Sequence, residues 1–432
     1  MCLIIFTDKT TLLFDCNVTA DNEEYILKYL NDNIPLRWDC EKKADKQWID
    51  IFVNSHRDND HYRGLSKIND TYPIKNIWDS GQCGAATDSS DYQYYMRLRR
   101  SIRDKYGENA VIVPSPSREA LLSIDGAEVF CLNSSLDFNK DETRYMTFDR
   151  YNKLVENKAL REGRPQHTNS MVLSVRYKDR SLLLTGDSDY LAWRDKIMPN
   201  FKNSNLLKSN ILVASHHGSR SFFTDSETND TIDPDNNPES TYIDHIYKIE
   251  PSVTIISCDS YDVAHHPNKE ALEIYEGATA NKQVYTTHII WNVAGILGGS
   301  GEWTVAPARM SPSSSINKNI VISCKCNNND HEYEGKPGDV FPIGSTLNFH
   351  IQSKHGILEP YSDVDVTWEV SNGGIEEHNE NQDIYYKSKD EETGKYFFKR
   401  KVAYRGKHLL RCRIRNRKKK ITATNIFVVN GE

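Results

Sequence analysis

The sequence predicts an α+β protein of two modules, a mixed α and β module followed by an all-β sandwich. Its 432 residues exceed the usual size of one compact domain. Hydrophobic residues at 38% and charged residues at 27% describe a chain that can form a core. Strand-like and helix-like segments alternate up to about residue 305, and only short strand-like segments follow. We therefore expect layered sheets covered by helices, and then two packed sheets.

The first module, residues 1–305, begins with a predicted β-hairpin, Leu3–Phe6 and Thr11–Asp15, before an amphipathic helix near Asn22–Leu30. Further predicted elements are the strand Trp48–Asn54, the helix Tyr92–Lys105, the hairpin Met171–Tyr177 and Ser181–Thr185, and the strands Ile211–Ala214, Val253–Ser257 and Val284–Thr287. The Asp-, Asn- and Pro-rich segment Phe222–Tyr242 is predicted to be a surface insertion.

The second module, residues 318–432, follows a predicted linker at 306–317 that is rich in Ala, Pro and Ser. Its short apolar runs predict the strands Asn319–Lys325, Thr346–Gln352, Val364–Val370, Tyr396–Ala403, Lys407–Arg415 and Thr422–Val429. Strands at this spacing without helices between them predict an immunoglobulin-like sandwich.

Composition also predicts where the protein works. The apolar runs are far shorter than the roughly 20 residues of a membrane span, and the N-terminus lacks the features of a signal peptide. The nine cysteines are scattered and form no Cys-x-x-Cys pair. We expect a cytoplasmic protein with no membrane partner. A net charge of −7 excludes a polycation, although Lys399–Lys420 is rich in Lys and Arg.

The polar cluster His56-x-Asp58-x-Asp60-His61 directly follows a predicted strand. Two imidazoles and two carboxylates on one turn would face each other at an electrostatic cost, which divalent cations remove. Histidine and carboxylate ligands suit zinc, manganese or iron. The alternative is a solvated acidic turn.

Other predicted strands also end in polar residues. These residues are His167 before the hairpin, Asp187 after it, His216-His217-Gly218-Ser219, and His265-His266-Pro267. Since ligands at strand ends converge on one edge of a sheet, the pattern favours one metal site. Taken alone, a residue such as His265 is more simply a surface or core histidine.

In this order, these motifs and Asp15 resemble the metallo-β-lactamase superfamily across most of residues 1–305. The resemblance implies an αββα metallo-β-lactamase fold. The usual motif is His-x-His-x-Asp-His, and here Asp58 replaces the second histidine. Together with His-His-Gly-Ser and His-Pro, this variant resembles the branch that contains the nuclease-like domains of bacterial DNA-uptake proteins.

The resemblance also implies a role for each motif residue and two divalent ions, Zn²⁺ or Mn²⁺. One ion would be held by His56, Asp58 and His167, the other by Asp60 and His61 with His216 or His266, and Asp187 would bridge them. Which of His216, His217 and His266 is a ligand stays open, and a histidine left over would be catalytic, protonating the leaving group or gripping an anionic oxygen. Asp60 would also orient the attacking hydroxide, and Asp15 would order the loops.

Candidate contacts to nucleic acid flank these motifs. Ser219 and Arg220 are candidates for substrate phosphate contacts, with surface-loop residues as the alternative. Arginines beside tyrosines can bind single strands by charge and stacking, or can simply form a solvated helix face. These residues are Arg97, Arg99 and Arg100 with Tyr92, Tyr94 and Tyr95.

Residues from about 318 onward resemble the C-terminal sensor domain of adenylyl/guanylyl cyclase-like and SMODS nucleotidyltransferases. The matching residues are Trp368-x-Val370-x-Asn372-x-Gly374, Tyr404-x-Gly406-x-His408-x-x-x-Cys412 and Phe427-Val428-Val429. The resemblance implies ligand sensing in bacterial anti-phage defence. Arg411, Arg413 and Arg415 share one face of a predicted strand and are candidates for anion binding. The alternative is a solvated edge strand protected by its charges.

These observations predict a two-metal hydrolase of phosphodiester bonds, a nuclease with DNA favoured, whose C-terminal module binds a nucleotide, nucleic acid or a defence-system partner. RNA and cyclic nucleotides stay open as substrates. One alternative is a hydrolase of small esters, lactones or amides, because the same metal pair polarises carbonyl groups. Another is a catalytically silent sensor stabilised by metal.

Overall fold

The computed structural model describes residues 1–20, 22–82, 89–139, 166–258, 266–280, 283–287, 293–297, 303–307, 320–328, 331–353, 358–359, 364–372, 383–386, 396–403, 405–416, 418 and 421–432. The chain divides into two compact units. The first consists of Met1–Ser257, Ile274–Val284 and Gly295–Val305, and the second of Cys258–Glu273, Tyr285–Ala294 and Ala306–Glu432. Residues 308–317 of the predicted linker and His265 lie outside the described residues.

The first sheet of the N-terminal unit has five strands. In spatial order they are β1 (Cys2–Ile5), β2 (Thr11–Phe14), β6 (Ile49–Val53), β8 (Ile74–Trp78) and β9 (Val111–Ile112). β1 and β2 form the predicted antiparallel hairpin, and the other strands are parallel to β2. Segments between these strands form two further two-stranded sheets. β3 (Cys16–Asn17) pairs with β7 (Tyr62–Arg63), and β4 (Arg37–Asp39) pairs with β5 (Ala44–Lys46).

Helices α1 (Glu23–Asn33), α2 (Leu65–Thr71) and α3 (Ser90–Tyr106) cover one face of this sheet. Leu30, Ile68 and Leu98 from the three helices share a buried cluster with Phe52 and Ile77 of the sheet. The apolar residues of α3 recur at helical spacing, which is why its sequence predicted a helix.

The second sheet has seven strands. Its order is β10 (Leu122–Ile124), β11 (Ala127–Asn133), β12 (Val172–Tyr177), β13 (Arg180–Leu184), β14 (Ile211–Val213), β15 (Val253–Ile256) and β16 (Val284–Thr286). β13, β14 and β15 are parallel to one another, and the predicted hairpin is β12–β13. Ile51 and Val53 of the first sheet share a buried cluster with Val129, Leu173 and Leu184 of the second. The two sheets therefore pack face to face.

Further helical segments follow the second sheet's strands. A π-helical turn, Ala192–Ile197, continues into α4 (Met198–Phe201), and α5 (Asp244–Ile249) and α6 (Lys269–Ala278) come later. Among the described helices, none is long and apolar enough to span a membrane. The hairpin β17 (Val293–Leu297) and β18 (Trp303–Pro307) forms a separate two-stranded sheet.

The C-terminal module is rich in strands, which form two sheets. One is ordered β20 (His331–Gly335), β19 (Ile320–Asn328), β22 (Thr346–Ser353) and β25 (Phe397–Lys401). The other is ordered β21 (Val340–Phe341), β27 (Ile421–Gly431), β26 (Gly406–Asn416), β23 (Val364–Asn372) and β24 (Asp383–Tyr386). Phe349 and Phe398 of the first sheet share a core with Trp368, Leu410 and Phe427 of the second, so the module is a β-sandwich.

Strand β26 carries the three arginines that the sequence singled out for anion binding. Its alternation is as predicted, because Leu410, Cys412 and Ile414 are buried. The interpretation as an edge strand is wrong, because β26 pairs with β23 on one side and β27 on the other. In this register Glu369 lies opposite Arg411, and Asp365 lies opposite Arg415.

A buried histidine lies among aromatic rings in the N-terminal unit. His245 stacks on Trp193 with ring centroids 5.0 Å apart, and its ring meets that of Phe222 edge-on at 4.4 Å. Within the described part of the chain, neither ring nitrogen has a hydrogen-bond partner. Burial lowers the pKa of His245 to about 3, so the ring is neutral at neutral pH.

We expect His245→Phe to stabilise the protein by roughly 1–3 kcal/mol, the cost of burying unpaired polar atoms. The pH dependence has a definite sign. Because the folded-state pKa lies below the unfolded value of about 6.5, the unfolded state binds the extra proton between about pH 3 and 6.5. The wild type should therefore lose about 1.4 kcal/mol per pH unit on acidification through this window relative to the variant. Urea unfolding of both proteins at pH 5 and pH 7.5 measures the difference, and equal pH dependence would contradict it.

Candidate metal centre

The predicted site residues lie in loops that follow the carboxyl ends of parallel strands. In the first sheet, Asp15 follows β2 and the segment 54–61 follows β6. In the second, Asp187 follows β13 and the segment 214–218 follows β14. Carboxyl ends of parallel strands meet at one edge of a sheet, where binding sites are usually built. Both sheets therefore contribute to one site.

Eight side chains form four overlapping groups, in each of which the ligand atoms lie within 4.8 Å of one another. The groups are His56–His61–Asp187, His56–Asp58–His167, Asp60–His61–His217 and His167–Asp187–His216. The structure thus brings together the predicted ligands other than His266, and adds His217, which the sequence had left open. Because neighbouring groups share members, the site is continuous.

One part of the site is centred on Asp58. Its Oδ2 atom lies 3.1 Å from Nε2 of His56 and 3.2 Å from Nε2 of His167. The other carboxylate oxygen accepts a hydrogen bond from the Gln166 side chain. The trio His56, Asp58 and His167 is the set that the superfamily resemblance implies for one ion.

The other part is centred on Asp60 and His61. Nε2 of His217 lies 3.2 Å from Oδ2 of Asp60, and Nε2 of His61 lies 3.6 Å from the same atom. The sequence left His216, His217 and His266 open for this position, and the structure places His217 here. His216 instead faces Asp187, with 3.7 Å between its Nε2 and Oδ2 of Asp187.

Outer contacts fix the orientation of three imidazole rings. Nδ1 of His61 lies 2.8 Å from Oδ2 of Asp15, and Nδ1 of His217 lies 2.6 Å from the carbonyl oxygen of Ser257. Nδ1 of His216 lies 2.9 Å from Oγ of Ser221. Such contacts hold the remaining Nε2 atoms towards a metal in known sites.

Asp15 also binds the loop after β6. Its two carboxylate oxygens accept hydrogen bonds from the backbone N–H of Ser55 at 2.7 Å and from the Ser55 hydroxyl at 2.7 Å. Asp15 is absent from the four groups, and its contacts connect this loop to the His61 ring. This is the loop-ordering role that the sequence predicted for it.

The histidine pair lies in a strained backbone segment. His216 has φ +46 and His217 has φ +56, and Gly218 continues the left-handed conformation at φ +82. Non-glycine residues avoid this region because of a clash with Cβ. The backbone N–H of His216 donates to the Gly186 carbonyl at 3.0 Å, which ties the pair to the turn that carries Asp187. Strain of this kind clusters at functional sites.

The carboxylates and imidazoles shift one another's pKa values. Burial alone would raise the pKa of Asp60, but the hydrogen bond with His217 and the charge of His61 hold it at about 2. Burial would likewise raise the pKa of Asp187, yet His61, His216 and His56 hold it well below its usual range. For His61, the carboxylates of Asp187 and Asp15 outweigh burial and raise the pKa well above its ordinary value. The carboxylates and imidazoles of the site thus stabilise one another's charged forms.

The donor set fits divalent metal ions. Nε2 of His61 is buried and makes no hydrogen bond among the described residues, although Oδ1 of Asp187 is only 3.3 Å away. Two ligand atoms that lie opposite each other without a hydrogen bond between them match two ligands that point at one ion. Imidazole nitrogens combined with carboxylate oxygens suit zinc, manganese or iron.

Gly186 sets the position of Asp187. Its φ is +52, and a Cβ atom there would lie 2.5 Å from Oγ of Ser170 and 2.8 Å from Cβ of Ser55. We expect Gly186→Ala to displace Asp187 and to lower metal content and activity, both measured on the purified protein. Gly126→Ala is the control, because Gly126 has φ +82 but its Cβ would meet no atom closer than 4.0 Å. Both variants carry a backbone cost of roughly 1–2 kcal/mol, so equal metal content in the two would contradict this role.

Three other candidates lie outside the four groups. The Ser219 side chain caps a short helical turn by accepting from the backbone N–H of Ser221, and Arg220 donates to the carbonyl oxygens of Asp230 and Ser226. These contacts favour the surface-loop alternative over phosphate contacts. His266 is half-buried and belongs to the second compact unit.

The predicted arginine and tyrosine surface on α3 is wrong for three of its six residues. Arg99 is 1% exposed, Tyr95 is fully buried, and Tyr92 is buried as well. Arg97 and Arg100 are exposed, and Tyr94 is half-buried. Arg99 and Tyr95 instead pack beside Asp79, which explains why their side chains point into the module.

The sequence did not reveal what anchors the loop that carries the candidate ligands His56 and Asp58. Arg57, between His56 and Asp58, is fully buried, and its guanidinium donates to both carboxylate oxygens of Asp79 at 2.6 and 2.5 Å. It also lies over the Tyr95 ring at 4.7 Å. The signal in the sequence that could have revealed this anchor is a basic residue inside an otherwise acidic and histidine-rich motif.

A family model for the adenylyl/guanylyl and SMODS C-terminal sensor domain matches residues 303–430. The predicted similarity of the C-terminal module to this domain is confirmed. No curated protein matches the chain. The metallo-β-lactamase resemblance of the first 305 residues stays a prediction.

Proposed function

We propose that residues 1–305 form a metallo-β-lactamase-type αββα domain that hydrolyses phosphodiester bonds with two divalent metal ions. The observation that carries the proposal is the convergence of eight histidine and aspartate side chains at the strand ends of two packed sheets. The packing of helices on the first sheet, and of that sheet on the second, supports three of the four layers of this fold. The order of the motifs along the chain supports the same assignment.

In this proposal each residue has a distinct task. His56, Asp58 and His167 would hold one ion, Asp60, His61 and His217 the other, and Asp187, which lies near both trios, would be shared. When bound, the ions would lower the pKa of a water and neutralise charge on the attacked phosphoryl group. His216 would give a proton to the leaving oxygen, with its ring held by Ser221. Asp60 would orient the attacking water through its carboxylate.

DNA is the favoured substrate because of the resemblance to nuclease-like domains of DNA-uptake proteins. The C-terminal sandwich would sense a nucleotide or nucleic acid and adjust the hydrolase, in the setting of bacterial anti-phage defence. The family match to a sensor domain supports this second half of the proposal.

Cleavage assays test the hydrolase half. Labelled single- and double-stranded DNA, RNA and cyclic dinucleotides are incubated with the wild type and Asp60→Ala, in Mn²⁺ and in Zn²⁺. We expect metal-dependent cutting of DNA that disappears in Asp60→Ala. If cyclic dinucleotides are cut instead, the substrate changes but the chemistry stands. Wild type that cuts none of these but hydrolyses ester or lactone substrates would replace the phosphodiesterase proposal, and wild type inactive on all of them would favour a silent sensor.

A further inference from the structure

Packing constrains the Asp58 side chain less than that of His56, its neighbour in the candidate metal centre. The Asp58 side chain is 34% exposed, whereas that of His56 is fully buried. An ionised carboxylate also has two equivalent oxygens and turns easily about its last bond. The direction in which Asp58 presents an oxygen to a metal therefore depends on its hydrogen bonds.

Gln166 supplies a hydrogen bond that fixes this direction. Nε2 of Gln166 donates to Oδ1 of Asp58, while Oδ2 of Asp58 lies 3.1 Å from Nε2 of His56 and 3.2 Å from Nε2 of His167. With Oδ1 engaged by the amide, Asp58 presents Oδ2 to the place where the two imidazoles present their nitrogens. Asp58 thus offers one ligand atom at a position where the usual motif has a histidine.

Gln166 is itself held by the loop that follows β8. Its backbone carbonyl accepts a hydrogen bond from Nε2 of Gln82 at 3.2 Å. Asp79 lies in the same loop and binds Arg57, the residue before Asp58. This loop therefore supports Asp58 in two ways, through the backbone beside it and through the residue that binds its carboxylate.

We infer that Gln166 is a positioning residue of the candidate metal centre, whose side-chain amide directs one oxygen of Asp58 towards the ion shared with His56 and His167. The inference rests on the metal centre of the proposed function, and it holds whichever substrate is hydrolysed. Residues that orient a metal ligand from outside set the metal affinity, and their loss typically weakens binding by about 10–100-fold.

The effect should be confined to one of the two ions. In the described part of the chain, the hydrogen bonds of Gln166 join it to Asp58 and Gln82, and none joins it to Asp60 or His217. The alternative is that Gln166 only stabilises the turn before His167. In that case its loss would lower the stability of the protein and would affect both ions alike.

Metal titrations of the full chain test the inference. Zn²⁺, and separately Mn²⁺, is titrated against a competing chromophoric chelator with the wild type, Gln166→Met and Gln166→Asn. Methionine has a similar length but no donor, and asparagine keeps the amide on a shorter side chain that withdraws it from Asp58. We expect two bound ions in the wild type, and in both variants one of the two ions bound at least about tenfold more weakly.

Gln47→Met is the matched control. The Gln47 amide is also hydrogen-bonded, to the backbone carbonyls of Asn31 and Ile34 at 2.8 and 2.6 Å. Gln47 precedes β6, so it lies at the end of this strand opposite to the candidate metal centre. Its loss should leave the affinity for both ions unchanged.

Two single-ion backgrounds show whether Gln166 acts through Asp58. Asp60→Ala leaves the trio that contains Asp58, and Asp58→Ala leaves the trio that contains Asp60. Adding Gln166→Met should weaken the remaining ion at least about tenfold in the Asp60→Ala protein. It should weaken the remaining ion by less than about twofold in the Asp58→Ala protein, because the residue on which Gln166 acts is already absent.

The outcomes separate this inference from the proposed function. Equal weakening in the two backgrounds, or a lower melting temperature with unchanged metal affinity, would overturn the positioning role in favour of turn stabilisation. Unchanged affinity in both Gln166 variants would overturn it directly. A wild type that binds neither metal would reject the metal centre, and this inference with it. Metal binding that depends on Gln166 but supports no hydrolysis would reject the hydrolase alone.

Discussion

Asp187→Ala is expected to strip the divalent metal from the protein and to abolish hydrolysis while the C-terminal sandwich keeps its fold. Asp187 is 4% exposed and belongs to two of the four ligand groups. Its carboxylate oxygens lie 3.3 Å from Nε2 of His61 and 3.6 Å from Nε2 of His56. Without this carboxylate, the histidines lose the negative charge that draws cations to them. The rate should fall by at least on the order of 10²–10³, the loss seen when one group that stabilises transition-state charge is removed.

Metal content by mass spectrometry and cleavage rate are measured on the same preparation. Asp189→Asn is the control for a neighbouring carboxylate, because Asp189 lies two residues away, is half-buried and is absent from the four groups. Asp189 accepts a hydrogen bond from Thr168 at 2.7 Å, so the variant shows the effect of losing a nearby carboxylate that is not a candidate ligand. A fully active Asp187→Ala protein would remove the basis of the site assignment.

Arg57→Ala is expected to destabilise the N-terminal module by roughly 3–5 kcal/mol, the cost of leaving a buried charge without its partner. Arg57 and Asp79 are both fully buried, and their contact is bidentate. Its loss leaves the Asp79 carboxylate with the Tyr95 hydroxyl, the Gly81 N–H and, 3.9 Å away, Nε of Arg99. His56 and Asp58 flank Arg57, so the loop that carries these candidate ligands should also become less ordered.

Chemical unfolding measures the change in free energy. Arg100→Ala removes the same side chain from an exposed position of α3 and should stay within about 0.5 kcal/mol of the wild type. If Arg57→Ala proves as stable as Arg100→Ala, the buried pair contributes nothing measurable and the loop must be held by other contacts.

Sequence reasoning predicted the strands and the edge at which the ligands meet, because both depend on local patterns. Apolar runs that end in His or Asp indicate strand ends, and parallel strands bring those ends together. The sequence could not show which of His216 and His217 faces Asp60, because both residues have a left-handed backbone conformation. In that conformation the side chains follow neither the alternation of a strand nor the spacing of a helix. Sequence reasoning also misread Arg99, since a charged residue on a helix is usually exposed and only the tertiary position of Asp79 makes burial favourable.

In the C-terminal sandwich, too, the sequence predicted the elements that have a local pattern and not those without one. The longer strands have buried residues at every second position, and the sequence predicted them. β20 was missed because its residues, His331–Gly335, are polar and mostly exposed, so no alternation marks it. The sequence also did not predict that Arg400 takes a core-facing position on β25, between the buried residues Phe398 and Val402. Its neighbours Lys399 and Lys401 make the segment look like a uniform basic run, although one of the three positions faces the core.

The backbone conformation of His216 and His217 bears on the balance between the stability of this protein and its function. Glycine would occupy either left-handed position without the clash with Cβ that a histidine must bear. Glycine at 216 or 217 would make the loop easier to form and would remove an imidazole from the site. If selection acted on stability alone, we would therefore expect other residues to replace histidine at these two positions. Retaining both rings in this conformation costs stability, and the proposed metal site would offset that cost.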